Sequence, residues 1–201
     1  MKIVFATNNK HKLLEVQHIL PKVYALFSLE DIGFTSDIEE TGTTLEDNSD
    51  IKAQTVYNWL KDNKITEYNA VFADDTGLEV DALGGKPGVY SARYAGEPAN
   101  DKNNRQKLLH ELKGITDRQA RFRTVVTLII NGKTYQTEGR VEGKIDTEEH
   151  GTEGFGYDSL FIPENYNCPF ACLKSEEKNR ISHRAKAIEN LVKLLENTDI
   201  K

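Results

Sequence analysis

The chain has 201 residues and a formal net charge of −6, and hydrophobic residues make up 38% of it. This balance excludes a wholly disordered chain, and the acidic charge argues against stable nucleic-acid binding through a broad basic surface, which needs clustered Lys and Arg. No apolar run approaches the ~18 residues needed to span a bilayer, and the first residues turn polar too soon for a signal peptide, so we expect a cytoplasmic protein without membrane attachment.

The first part of the chain alternates predicted strands and helices. An apolar run at 2–7 predicts a strand, and apolar residues at helical spacing over 13–20 predict a helix. A second strand is expected at 23–29. A helix is expected at about 44–61, and the threonines that precede it are candidate caps.

A hairpin dominates the middle of the chain. Alternating apolar residues at 121–130 and 134–141 flank Asn131-Gly132, the strongest short signal for a two-residue hairpin turn. The other predicted elements are a strand at 70–73 that ends at Asp74-Asp75, a helix at 104–112, a strand at 157–162 and a closing helix capped by Ser182. This order favours an α/β fold with a mixed, twisted central sheet and helices on its faces.

A polar and basic segment joins the first predicted strand to the first predicted helix. It reads Thr7-Asn8-Asn9-Lys10-His11-Lys12, and the chain contains neither a P-loop nor a GxGxxG motif. In open α/β folds, ligands collect at the carboxyl ends of strands, where a helix N-terminus offers N–H groups and a positive dipole to an anion. The segment therefore predicts a phosphate site, with an ordinary capped and solvated loop as the alternative.

Two acidic pairs are candidate metal ligands. Glu39 and Glu40 lie in an irregular stretch, and Asp74 and Asp75 follow a predicted core strand. Mg²⁺ binds a few carboxylate oxygens together with waters and substrate phosphates. Adjacent residues on an extended segment point in opposite directions, so at most one aspartate would face the metal. A turn pair for the aspartates and a solvated surface for the glutamates are the alternatives.

Two further segments suit a nucleotide. The segment Gly154-Phe155-Gly156-Tyr157-Asp158 combines small residues with aromatic faces on which a base can stack, although core aromatics at a strand entry give the same pattern. Basic residues at 178–184 surround the predicted start of the last helix, where cations oppose the helix dipole unless an anion compensates. Neutralisation by Glu176 and Glu177 is the alternative. Together the four segments match a nucleoside polyphosphate with magnesium.

Five ordered blocks resemble the inosine triphosphate pyrophosphatase (HAM1-like) family over nearly the whole chain. They are Thr7-x-Asn9-x-x-Lys12, Glu40-Thr41-Gly42, the stretch 73–94 that contains Asp74-Asp75-Thr76-Gly77 and Gly84-Gly85, Phe155-Gly156-Tyr157-Asp158, and Glu177-Lys178 with Ser182-His183-Arg184. The resemblance implies a single ITPase-like domain over 1–201, with two lobes around a nucleotide cleft, and a homodimer. It implies Mg²⁺-dependent hydrolysis of ITP, dITP and XTP to the monophosphate and pyrophosphate, which cleanses the nucleotide pool.

The resemblance also implies roles for individual residues. Asp75 would accept a proton and, with Glu40, would hold Mg²⁺. The implied substrate-binding residues are Thr7, Asn8, Asn9, Lys10, His11, Lys12 and Lys52 at the triphosphate, Thr76 beside the acid, Phe155, Gly156, Tyr157 and Asp158 at the base, and Lys178, His183 and Arg184, which would complete the nucleotide pocket. Asn8 stands where many relatives have Gly, and Thr76 where many have Ser. Asn tolerates a left-handed backbone and Thr retains the hydroxyl, so both departures preserve the chemistry.

Two other functions stay open from the sequence. A pyrophosphatase of the related Maf-like group would act on pyrimidine or modified triphosphates. A nucleotide sensor would bind its ligand with magnesium and release no product. A panel of bases separates the first alternative from a purine-specific enzyme, and product measurement separates the second.

Overall fold

A computed structural model describes residues 1–197, which contain seven strands and five α-helices. In chain order the strands are β1 (Lys2–Phe5), β2 (Ala25–Phe27), β3 (Ala70–Val80), β4 (Pro87–Gly88), β5 (Gln119–Ile130), β6 (Lys133–Ile145) and β7 (Phe161–Pro163). The α-helices are α1 (Lys10–Ile19), α2 (Leu45–Asp62), α3 (Asp101–Glu111), α4 (Ser175–Ile181) and α5 (His183–Asn197).

The strands form one mixed sheet. Their order is β2-β1-β3-β5-β6-β7, and β4 pairs with β3 outside that path. β1 is parallel to both of its neighbours, so that Val4 lies opposite Phe27 on one side and Val71 on the other. β4 and β7 pair antiparallel with β3 and β6. The predicted α/β fold with a mixed sheet and helices is therefore confirmed.

The chain divides into two compact units. Among the described residues, the first unit contains Met1–Asp75, Thr124–Gly139 and 184–197, and the second contains Thr76–Arg123 and Arg140–His183. The strands β3, β5 and β6 contribute residues to both units. The chain passes from one unit to the other between Asp75 and Thr76 within β3, and again between His183 and Arg184 at the start of α5. All four are predicted site residues.

Strand alternation builds two apolar clusters in the first unit. Side chains two residues apart on a strand share a face, so Phe5 and Phe72 join one cluster while Val4 and Val71 join the other. The rings of Phe5 and Phe72 stack with their centroids 4.5 Å apart. Apolar residues of α1 and α5 complete the first cluster, and those of α2 complete the second. Each face of these strands therefore has its own helices.

The second unit has a separate apolar core. Phe122 of β5 packs edge-on against Phe161 of β7, with ring centroids 4.8 Å apart. Tyr157 is buried in the same cluster, and its hydroxyl donates a hydrogen bond to the carbonyl oxygen of Ser91 at 2.8 Å. A buried phenol needs such a partner, so this contact fixes the ring in the core.

Local signals predicted several element ends correctly. The side chain of Asn9 caps α1, and that of Thr44 caps α2 by accepting a hydrogen bond from the N–H of Asp47. The turn between β5 and β6 has positive φ at both central residues, 52° at Asn131 and 72° at Gly132, as a two-residue hairpin turn requires.

Other predicted boundaries were wrong. β3 is continuous from Ala70 to Val80, so the acidic pair lies inside a strand and not at its end. The segment 175–181 forms the unpredicted helix α4, which places Lys178 in its last turn, where a cation is favourable. The last strand is confined to Phe161–Pro163, and α3 begins at Asp101 because Asn100 is its cap.

Candidate functional site

The acidic pair of β3 points to both faces of the strand. Asp74 follows Phe72 in the alternation, towards the cluster completed by α1 and α5, whereas Asp75 follows Ala73, towards the cluster completed by α2. Only 2% of Asp74 and 7% of Asp75 is exposed. A buried carboxylate without a partner costs several kcal/mol, so each aspartate requires a cation from the helices on its own face.

Two cations meet Asp74. Lys12 Nζ of α1 lies 2.9 Å from Asp74 Oδ1, and Arg184 Nε of α5 lies 3.1 Å from Asp74 Oδ2. The guanidinium of Arg184 also pairs with Glu15 of α1. Burial by itself raises the pKa of Asp74, but the charges of Lys12 and Arg184 outweigh burial and hold this pKa well below its usual value. Asp74 is therefore an ionised anchor for two cations.

One cation stands between two carboxylates on the other face. Lys52 Nζ of α2 lies 2.9 Å from Asp75 Oδ1 and 3.3 Å from Glu40 Oε1. Burial raises the pKa of Asp75 above its ordinary value, against the opposing charge of Lys52. Burial lowers the pKa of Lys52, but the charges of Asp75, Glu40 and Asp74 outweigh it, so the net shift of that pKa is upwards. The cluster joins a fixed ammonium to a carboxylate whose proton affinity is increased.

The acidic segment that carries Glu40 is held by the first turn of α2. The N–H of Gly42 donates a hydrogen bond to Asn48 Oδ1 at 2.8 Å, and Asn48 is fully buried one helical turn before Lys52. A Cβ at Gly42 would lie 2.6 Å from Asn48 Oδ1 and 2.5 Å from Asp47 Cβ, so only glycine allows this approach. Asn48 therefore anchors the backbone two residues after Glu40, a role that sequence reasoning missed.

The segment between β1 and α1 is organised by its own side chains. Asn9 Oδ1 accepts hydrogen bonds from the backbone N–H groups of His11 and Lys12, at 2.9 and 3.2 Å, and Thr7 Oγ1 accepts one from the N–H of Asn9 at 3.2 Å. The side chains of Asn8, Asn9, Lys10 and His11 are exposed. The helix N-terminus thus presents Thr7 and Asn9 in fixed positions, next to solvent.

A second cluster lies wholly within the second unit. Lys178 Nζ is 2.8 Å from Asp158 Oδ2 in a buried ion pair, and the same oxygen accepts the N–H of Phe155 at 2.9 Å. Lys178 Nζ also lies 5.2 Å from the centroid of the Phe155 ring, which is half-buried. A Cβ on Gly154 would lie 2.1 Å from Asp158 Oδ2, so the turn needs glycine there. Phe155 is therefore held between a cation and the acid that anchors its backbone.

The other predicted site residues differ in their surroundings. Tyr157 belongs to the core through its side chain, so the sequence expectation that it lines a base applies at most to its backbone. His183 is 4% exposed and stacks on Phe122, with ring centroids 4.6 Å apart. Thr76 is half-buried and follows Asp75 directly on β3. Arg184 is 1% exposed and makes its ion pairs with acidic residues of the first unit.

The donor set of the first unit suits a hard divalent cation. Two carboxylates, Glu40 and Asp75, converge on one positive charge, and both are oxygen donors. Within residues 1–197 no group of three or more His, Cys, Asp or Glu side chains gathers as a complete metal cage. Two protein carboxylates match Mg²⁺, which completes its coordination with waters and substrate phosphates.

Comparison with known proteins identifies relatives along nearly the whole chain. The family model described as Ham1 family matches residues 3–194. A protein from Flavobacterium johnsoniae named dITP/XTP pyrophosphatase is 49% identical over 195 residues, which cover 97% of this chain and 98% of that protein. A protein of the same name from Bacillus subtilis is 50% identical over 197 residues and covers 96% of both chains.

Two solved structures have a similar fold over nearly the whole chain. The Ham1 protein of Staphylococcus aureus superposes with a TM-score of 0.85 at 39% identity, covering 98% of each chain. A HAM1 protein from Coxiella burnetii superposes with a TM-score of 0.87 at 36% identity, covering 98% of this chain and all of the other. The similarity thus includes both units.

Proposed function

The chain belongs to the Ham1 family, and we propose that it hydrolyses the non-canonical purine triphosphates ITP, dITP and XTP to the nucleoside monophosphate and pyrophosphate. The cluster in which the buried Lys52 stands between Glu40 and Asp75 is the observation that carries this proposal. It combines a cation for phosphate, carboxylates for a metal and an acid–base group. The reaction would remove deaminated purine nucleotides from the pool before they enter nucleic acids, and the chain would act as one ITPase-like domain.

The triphosphate would bind to groups of the first unit. The capped segment from Thr7 to Lys12 would contribute a hydroxyl, an amide and the helix dipole. Lys52 adds a buried ammonium, and Lys10 and His11 are exposed donors. Since phosphoryl transfer depends mainly on positioning and charge stabilisation, these groups would hold the leaving pyrophosphate while the bond between the α-phosphorus and its bridging oxygen breaks.

Glu40 and Asp75 would hold Mg²⁺. When bound, the ion would neutralise charge on the triphosphate and polarise a phosphoryl group. The Gly42 N–H hydrogen bond to Asn48 anchors the backbone two residues after Glu40, so less of this segment would need to be ordered on binding.

Asp75 would orient the attacking water and accept its proton. Burial raises the pKa of this carboxyl, which makes it a better proton acceptor than an exposed aspartate. A divalent cation on the same carboxylate lowers its proton affinity, so orientation would be the larger part of its role. One water adds to the α-phosphorus, and the products are the monophosphate and pyrophosphate.

The base would lie against Phe155. Phe155 offers a half-buried ring face, and Lys178 and Asp158 supply a donor and an acceptor beside it. A site that donates a hydrogen bond to a 6-oxo group rejects the 6-amino group of adenine, because a buried donor would stay unpaired. Arg184 would act indirectly, by neutralising Asp74.

The remaining proposals concern assembly and location. We propose a homodimer that works in the cytoplasm, where nucleotide pools are found, and that neither binds nucleic acid stably nor attaches to membranes. The net charge of −6 supports the absence of nucleic-acid binding. Among residues 1–197 no helix is long and apolar enough to cross a bilayer. Sedimentation at micromolar concentration tests the dimer, and a clean monomer would contradict it.

The test is pyrophosphate release with Mg²⁺ from a panel of triphosphates. ITP and XTP should be turned over in strong preference to ATP, GTP, dTTP and UTP. Asp75→Asn should abolish turnover while nucleotide binding, measured by calorimetry, persists, since the substitution removes the proton acceptor and leaves the cations in place. Near-normal turnover by this variant would refute the role of Asp75.

Other outcomes point to the alternatives. Activity confined to pyrimidine triphosphates would favour the Maf-like function. Tight magnesium-dependent binding of a nucleotide without any product would favour a sensor.

A further inference from the structure

Helix α3 holds the Phe155 segment through one glycine. Asp101 Oδ2 accepts the N–H of Gly156 at 2.9 Å, and Arg105 Nη1 donates to the carbonyl oxygen of the same glycine at 2.8 Å. Asp101 and Arg105 are one helical turn apart, so they lie on the same side of α3. Both backbone polar groups of Gly156 are thus bound by oppositely charged side chains, in hydrogen bonds stronger than neutral ones.

The glycine that is held has a backbone conformation that other residues disfavour. Gly156 has φ +61°, and no atom lies within 4 Å of the position of an added Cβ. Glycine is therefore needed for its backbone angle and not for space. Gly151 and Gly154 also have positive φ, so this stretch of chain has many accessible conformations before it is fixed.

Further contacts connect α3 to the Phe155 segment. Arg105 Nε lies 2.7 Å from Glu149 Oε2, and the hydroxyl of Ser159 donates to the same carboxylate oxygen at 3.1 Å. Arg105 therefore contacts residues on both sides of Phe155 in the sequence. The buried pair of Asp158 and Lys178 fixes the segment independently, through the N–H of Phe155.

We propose that Asp101 and Arg105 are positioning residues that preorganise Phe155 for the purine base. This inference rests on the proposed function, in which the Phe155 ring lies against the base. Neither residue touches the reacting phosphorus; each acts through the backbone of Gly156. When a segment is already ordered, the ligand does not have to pay for ordering it, and affinity rises without new contacts to the ligand.

The test separates binding of the base from binding of the triphosphate. Asp101→Ala and Arg105→Met should each raise KM for ITP about five- to tenfold and leave kcat within about twofold, because only the base-binding segment loosens. Inhibition by inorganic tripolyphosphate, which has no base, should be unchanged. Asp101→Asn should restore a KM near that of the unaltered chain, since its amide oxygen still accepts the Gly156 N–H. Lys102→Ala, on the exposed side of the same turn, is the matched control.

Each outcome is decisive. An unchanged KM for ITP in both Asp101→Ala and Arg105→Met overturns the inference, and so does an equal weakening of tripolyphosphate inhibition, which would indicate general damage. The melting temperature of each variant identifies failure to fold. If Asp101→Ala destabilises the first turn of α3, Arg105→Met still tests the inference, because Arg105 lies beyond that turn. If the unaltered chain releases no pyrophosphate from ITP, the proposed function itself fails, and the inference falls with it.

Discussion

Replacing Arg184 with methionine tests the buried charges beneath the candidate site. Arg184 is 1% exposed, its Nε lies 3.1 Å from Asp74 Oδ2, and its guanidinium also pairs with Glu15. Methionine retains much of the apolar stem, so the substitution removes charge and donors more than volume. Asp74 keeps its ion pair with Lys12 at 2.9 Å.

The expected loss of stability follows from these contacts. A hydrogen bond to a charged group contributes about 1.5–3 kcal/mol net, and Arg184 makes two such contacts. Breaking a buried ion pair costs about 3–5 kcal/mol, because the remaining charge stays buried. Lys12 still neutralises Asp74, and 15% of the Glu15 side chain is exposed and can be hydrated. Arg184→Met should therefore lower the free energy of unfolding by about 3 kcal/mol, at the lower end of that range.

Urea denaturation at neutral pH measures this change. Glu67→Gln is the matched control in the same unit: Glu67 pairs with Lys2 at 2.6 Å, but the two side chains are 57% and 45% exposed. An exposed pair contributes about 1 kcal/mol or less. A double-mutant cycle of Arg184→Met with Asp74→Asn should show a clear coupling energy. A loss no larger than that of Glu67→Gln, or a coupling energy near zero, would refute the reasoning.

Two more predictions concern the metal segment and alkaline stability. Gly42→Ala should raise the Mg²⁺ concentration that gives half-maximal pyrophosphate release from ITP. The added Cβ would lie 2.6 Å from Asn48 Oδ1, so the segment would shift and displace Glu40, two residues earlier. An unchanged midpoint in a Mg²⁺ titration would contradict this prediction. Burial raises the pKa of Tyr94 and Tyr157, so the folded state favours the protonated phenols. Their contribution to stability is full below the unfolded pKa of about 10 and is lost as pH rises towards the pKa values of the folded state. The melting temperature should therefore fall above about pH 10. A melting temperature that stays constant to about pH 11.5 would contradict this prediction.

Local chemistry explains why much of the fold could be predicted. Strand alternation, the capping residues Asn9 and Thr44 and the Asn131-Gly132 turn act over a few residues, so the sequence contains the whole signal. The predicted end of β3 at Asp74-Asp75 was wrong because the signal for this strand does not lie within a few residues. Two adjacent acids argue against a buried strand unless something distant neutralises them, and the neutralising groups come from other elements.

The sequence by itself determined the types of most elements, the opposite orientation of Asp74 and Asp75 on an extended segment, and the blocks that resemble a known family. Only the tertiary structure decided which charges meet. Arg184 lies 110 residues beyond Asp74 in the chain, yet the two form a buried ion pair because α5 covers the same face of β3 as α1. Such pairing depends on helix packing across the sheet, and no local pattern encodes it. The same holds for α3, whose Asp101 and Arg105 bind Gly156 from 55 and 51 positions earlier in the chain.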